Sequence, residues 1–125
     1  MVGCVYKPPD TSVEDFSESF GQVLSKISFE NKLAYIMGDF NIDLLKTENH
    51  NPTNDIFYLM TSNGLYPLIS KPTRITSHSA TLIDNIFTNC IDSEIISGLL
   101  YTDISDHLPV FQITRSKRIN EVAPN

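Results

Sequence analysis

Apolar positions change period several times along this chain, and each change marks an element. Met1 to Tyr6 reads as a strand, stopped by Pro8-Pro9 because proline cannot donate to a ladder. From Asp10 to Ile27 the period becomes helical. Val13, Phe16, Phe20, Val23, Leu24 and Ile27 form one stripe, which reads as core packing. Thr11 with Glu14 reads as a capping box at its start. Leu33 to Met37 is a short apolar run ended by Gly38, the pattern of a buried strand. Residues 42 to 53 are polar and turn-rich. A second helix is predicted over Pro52 to Asn63, with proline near its first turn and Gly64 as the stop. Leu65 to Ile69 reads as an edge strand, because Pro67 interrupts it. Residues 70 to 81 read as a Ser/Thr-rich loop. Leu82 to Thr88, Glu94 to Leu100 and Leu108 to Thr114 read as strands, and 117 to 125 as a frayed tail.

Strands alternating with two helices, then a run of strands, predict an α/β unit: a mixed or mostly antiparallel sheet with helices on one side. The 125 residues suit one domain, and a hydrophobic content of 41% can build its core. The longest purely apolar run is about five residues, against roughly 20 needed to cross a bilayer, so no membrane partner is expected. The opening residues do not read as a signal peptide. On that reading Cys4 and Cys90 are expected to be reduced core residues. The net charge of −6 argues against broad electrostatic capture of nucleic acid. It is compatible with carboxylates that hold a divalent cation. The basic group Arg115, Lys117 and Arg118 reads as a solvated terminus.

Three strings carry candidate chemistry: Gly38-Asp39-Phe40-Asn41, Ile83-Asp84-Asn85-Ile86-Phe87 and Ser105-Asp106-His107. In extended chain Asp39 and Asn41 share a face while Phe40 packs away. Asp84 lies within a run that should be buried, where a lone carboxylate needs a partner such as an imidazole or a metal. His107 stands beside an acid at a strand entrance, a position that suits a general acid or base. His50 and His78 lie in polar loops and read as solvated. If Asp39, Asp84 and Asp106 converge, they repel one another. Two unit charges about 4 Å apart do so by roughly 4 kcal/mol at an effective dielectric near 20. A compensating cation or proton is then required, and oxygen-rich ligands select magnesium or manganese over zinc.

These strings, together with Val5-Tyr6-Lys7-Pro8-Pro9 and Leu108-Pro109-Val110, resemble the endonuclease/exonuclease/phosphatase superfamily. More narrowly, they resemble the endonuclease domain that precedes the reverse transcriptase in LINE-type (non-LTR) retrotransposons. The resemblance implies hydrolytic nicking of DNA with Mg2+ or Mn2+. It implies that Tyr6 contacts the scissile phosphate and that Asp39 positions or activates water. Asn41 would help orient water and phosphate, and Asp84 would pair with His107. His107 would transfer a proton or stabilise phosphate charge. Asp106 would contribute to the metal site, with Asp39 and Asn41. A reverse transcriptase domain is the expected neighbour in the parent polyprotein, and the nucleus its expected location.

The family's earlier half carries an Asn and a metal-binding Glu. Glu14 and Glu18 follow Tyr6 and cannot take that Glu's place in the order. Residues 1 to 116 therefore resemble the C-terminal half of a layered sandwich. Little or no nuclease activity is expected of the chain alone, and an apolar sheet face left open should promote self-association. Two alternatives stand beside this reading: a phosphatase or phosphodiesterase of the same superfamily, and a non-catalytic remnant or binding module.

Overall fold

The structure, a computed structural model, describes residues 1–46, 51–91 and 94–115. His50, Lys117, Arg118 and the tail 117–125 lie outside these residues. Strand β1 (Val2–Tyr6) leads into helix α1 (Val13–Glu30), then β2 (Tyr35–Asp39) and a short 3-10 turn at Leu44–Lys46. Helix α2 (Asn51–Ser62) is followed by β3 (Tyr66–Pro67), β4 (Arg74–Ile75), β5 (Ala80–Thr81) and β6 (Asp84–Thr88). Strands β7 (Ile96–Leu99) and β8 (Val110–Ile113) close the series. The main sheet has the order β1-β2-β6-β3, with β1 and β2 parallel and the remaining pairs antiparallel. Two hairpins, β4–β5 and β7–β8, stand apart from it. This is the expected α/β architecture of mixed sheets with two main helices.

Helix α1 begins one residue later than the Thr11 capping box implies. Ser12 is the N-cap, and its hydroxyl accepts from the Asp15 amide at 3.1 Å, satisfying one of the amides that a helix start leaves open. Asn31 ends the helix in the left-handed conformation. Phe20, Leu24 and Ile27 are buried, whereas Val23 remains 49% exposed, so the stripe is wider than the contact it makes. The core gathers Leu24, Ile36, Phe40, Met60, Leu65 and Phe87 between the helices and one face of the sheet. Phe40 and Phe87 meet edge to face with centroids 5.3 Å apart, a favoured geometry for ring quadrupoles.

Alternation along β1 turns Cys4 away from that core. The thiol is exposed, and Cys90 is half-buried; both are free. This corrects the expectation of two core cysteines. Val2, Cys4 and Tyr6 line the outer face of β1, uncovered by the helices. The predicted loop 70–81 folds back on itself as the β4–β5 hairpin, closed by the Thr76 amide on the Ser79 carbonyl at 2.9 Å. Two-residue strands are too short to show a period. Strand β3 is the predicted edge, trimmed to Tyr66–Pro67.

Candidate active site

The register of the main sheet aligns three candidate side chains. Tyr6 pairs with Asp39 across β1 and β2, and Asp39 pairs with Asp84 across β2 and β6. Directly paired residues share a face, so Tyr6, Asp39 and Asp84 form one row at the strand ends. Gly38 makes the row possible. A Cβ there would lie 1.7 Å from the Val5 carbonyl oxygen, and the strands could not approach. The Lys7 amide continues the pairing by donating to the Asp39 carbonyl at 2.9 Å.

His107 reaches this row from the loop before β8. Its Nδ1 lies 2.9 Å from Asp84 Oδ2. A carboxylate on Nδ1 fixes the ring's orientation and leaves Nε2 for other chemistry. Thr73 holds this pair in place. Its buried hydroxyl accepts from the amides of both Ile83 and Asp84, at 3.2 and 3.0 Å. Its amide donates to the Thr81 carbonyl, and its carbonyl accepts from Leu108 at 2.6 Å. One residue thus joins the hairpin, the acid strand and the histidine segment. Asn85, fully buried, bonds Ile69 through both its amide nitrogen and its oxygen, fixing the other end of the 70–73 segment.

Asp39, Asp84 and His107 each offer one ligand atom, all within 4.8 Å of one another. They line an open cleft of about 410 Å³ with Met37, Ser105 and Val110. Burial pushes the Asp39 carboxyl above the usual range, and the charge of Asp84 adds to the effect. The Asn41 amide, His107 and Arg74 oppose it. Asp106 behaves oppositely: the Arg74 hydrogen bond holds its carboxyl below the usual range. The donor set fits a hard divalent cation, because two carboxylates converge and magnesium is typically held by one or two carboxylates plus substrate oxygens.

The structure therefore brings together Asp39, Asp84 and His107, with Tyr6 beside them, 65% exposed. It places two other candidates differently. Asn41 leaves the extended conformation, with φ at 48°. Its amide closes a turn on Asp39 Oδ1 at 2.9 Å, and its side-chain Nδ2 donates to the Lys7 carbonyl at 2.7 Å. The shared face expected from strand alternation is lost because Asp and Asn favour such local turns. Asp106 is exposed and turned to Arg74, whose Nε lies 3.0 Å from Oδ2. His78 is exposed, as its polar loop implies. Thr73, Arg74 and Asn85 were not singled out as site residues in the sequence. Thr73 and Arg74 sit in a Ser/Thr-rich stretch that carries no periodic signal. Asn85 had a weak one, as an amide in a run otherwise buried.

No family model and no curated protein matches the chain. Among solved structures, it is similar to the endonuclease domain of TRAS1, a telomere-specific non-LTR retrotransposon, with a TM-score of 0.68 and 20% identity. The match covers 90% of this chain and 56% of that one, so the chain spans little more than half of its structural relative.

Proposed function

We propose that this chain is part of a divalent-metal-dependent DNA endonuclease domain, of the kind that nicks target DNA for a non-LTR retrotransposon. One observation carries the reading: two acids and an imidazole, from three separate parts of the chain, meet within 4.8 Å at one end of the sheet. The fold relationship to a retrotransposon endonuclease domain supports the substrate class. On this reading the chain corresponds to the C-terminal half of the layered sandwich, and a reverse transcriptase belongs to the same polyprotein.

The geometry is compatible with a role for each residue that the resemblance implies. Asp39 stands at the centre of the acid row beside the cleft, where it positions or activates the attacking water. The water oxygen then bonds to phosphorus as the ester P–O bond breaks, and the departing oxygen takes up a proton from solvent or by way of His107 to leave as an alcohol. Asp84 orients His107 through Nδ1, so Nε2 is the atom that meets the phosphate and moves a proton or stabilises its charge. Tyr6 presents its hydroxyl to a phosphate oxygen from the adjacent strand. Asn41 ties the Asp39 turn to the end of β1 and so positions the acid. Magnesium or manganese, held by Asp39 and Asp84, would supply charge neutralisation and polarisation of the phosphoryl oxygens. Asp106 would join the metal ligands only by releasing Arg74.

The test joins a metal series to an activity assay. Magnesium should raise the melting temperature of the wild type in proportion to RT ln(1 + [L]/Kd), and the rise should vanish in Asp39→Ala. Nicking of supercoiled plasmid by the chain alone should be weak, since the family's metal-binding Glu has no counterpart in the motif order. Strong nicking abolished by His107→Ala would overturn the expectation of weakness while upholding the nuclease. A chain that neither responds to magnesium or manganese nor binds duplex DNA would end the nuclease reading.

A further inference from the structure

We propose that Arg74 is a phosphate-contact residue, pre-set by Asp106 to grip a phosphodiester oxyanion beside His107; the substrate class rests on the endonuclease reading above. Arg74 and His107 are paired in an isolated antiparallel bridge, which sets their side chains next to each other. The neighbouring residues reinforce the bridge, with the Ile75 amide donating to the Asp106 carbonyl at 2.9 Å. His107 reaches the acid row from this position, so Arg74 stands at the rim of the same site. Its charge is felt at Asp39.

How the guanidinium is held points to a second ligand. Asp106 Oδ2 takes Nε, and its Oδ1 accepts from the Ser105 hydroxyl at 3.3 Å. The terminal Nη groups donate to no described residue, and the side chain is 44% exposed. A guanidinium gripped at Nε keeps its outer N–H groups free in a planar fork, the geometry that matches a phosphate. An exposed ion pair of this kind adds little stability, so stability does not account for the arrangement. Charge does. The site concentrates Asp39 and Asp84 in a chain of net charge −6, and an approaching phosphodiester is repelled unless a fixed cation lies beside its path. On this account Asp106 positions an arginine rather than binding metal.

The experiment measures binding of a short duplex DNA by fluorescence anisotropy across a salt series, using the 125-residue chain. Arg74→Gln should weaken binding and make the slope of log K against log salt shallower by about 0.9, the value for one lost phosphate contact on duplex DNA. Lys32→Gln, whose lysine lies just past α1 and pairs with Glu30 at the helix end, should leave the slope unchanged. Asp106→Asn removes a negative charge and should nevertheless weaken binding in the wild type, with no further loss in the Arg74→Gln background. An unaltered slope in Arg74→Gln, with wild type bound and both proteins folded by circular dichroism, overturns the proposal and leaves the nuclease reading intact. If the wild type binds no duplex, the DNA reading fails separately. The arginine is then decided by an inorganic phosphate titration. Movement of the Arg74 Nη–H resonances in NMR sustains the phosphate contact, and static Nη–H resonances overturn it.

Discussion

Replacing Thr73 by valine probes the joint on which the site geometry depends. Valine keeps the shape and deletes one oxygen. The amides of Ile83 and Asp84 then lose their shared acceptor in a buried setting. A buried amide left unsatisfied costs about 1–3 kcal/mol. The two share a single oxygen and relax together, so roughly 2–4 kcal/mol in total is expected. For a domain of this size each kcal/mol lowers the melting temperature by about 3–5 °C, which predicts a fall on the order of 10 °C. Thr73→Ser keeps the oxygen and loses a methyl, worth about 0.8 kcal/mol. The order of damage is therefore valine well above serine. Thermal or urea unfolding measures it, and hydrogen exchange at the Ile83 and Asp84 amides adds a second reading. Both amides should exchange faster in Thr73→Val, because their acceptor is gone, and at the wild-type rate in Thr73→Ser. Equal damage by serine and valine, or a valine variant within about 0.5 kcal/mol of wild type, would show that packing rather than the bifurcated hydrogen bond holds this joint.

Other consequences are as direct. The folded state raises the Asp39 pKa, so folding holds its proton more tightly, and stability falls as pH rises from the unfolded value through the folded one. Asp39→Asn keeps the acceptor for the Asn41 amide, and it should raise the melting temperature at neutral pH and flatten that acid-side slope; a variant less stable than wild type at pH 7 would contradict this. Asp106 has the opposite sign: the Arg74 hydrogen bond lowers its pKa, and because the pair is exposed the effect reads in titration rather than in melting; Arg74→Gln should move the Asp106 carboxyl titration upward in pH by NMR. Gly38→Ala places a Cβ 1.7 Å from the Val5 carbonyl, so hydrogen exchange should show β1 released from β2, and unchanged protection of the β1 amides would refute the close approach. The outer face of β1 exposes Val2 and Tyr6, so light scattering should show association of the chain with rising concentration, reduced in Val2→Lys.

Much of the fold was legible because it rests on period. The helical stripe of α1 and the short apolar run of β2 each announce a buried face, and proline announces the edge at β3. The pairing of Asp84 with an imidazole was legible for a different reason. A carboxylate in a buried run needs a partner such as an imidazole or a metal, and the resemblance named His107 as that partner. The features that were not legible share one cause. Asp39 and Asn41 were read as continuous strand, but the chain turns at Asn41 through a local Asx hydrogen bond, which leaves no trace in hydrophobic period. The metal role of Asp106 came from the resemblance alone, and the motif carries no sign of the ion pair the residue makes. Its arginine partner is 32 residues away, in a loop without pattern. Thr73 was silent for the same reason, since its importance lies in backbone amides that carry no sequence signature.

The charges of the site have an asymmetry that separates chemistry from architecture. Asp84 has His107 and Asp106 has Arg74. Asp39 lies at the centre of the row, yet among the described residues its carboxylate accepts from the Asn41 backbone amide rather than from a cationic side chain. Burial and its neighbour Asp84 raise its pKa, and the partial compensation from His107 and Arg74 does not restore it. A fold selected for stability alone would place an asparagine here, which keeps the turn and removes the repulsion. The carboxylate at this position therefore costs stability that an asparagine would not, and a perturbed acid in a cleft beside a histidine is a functional-site candidate on physical grounds.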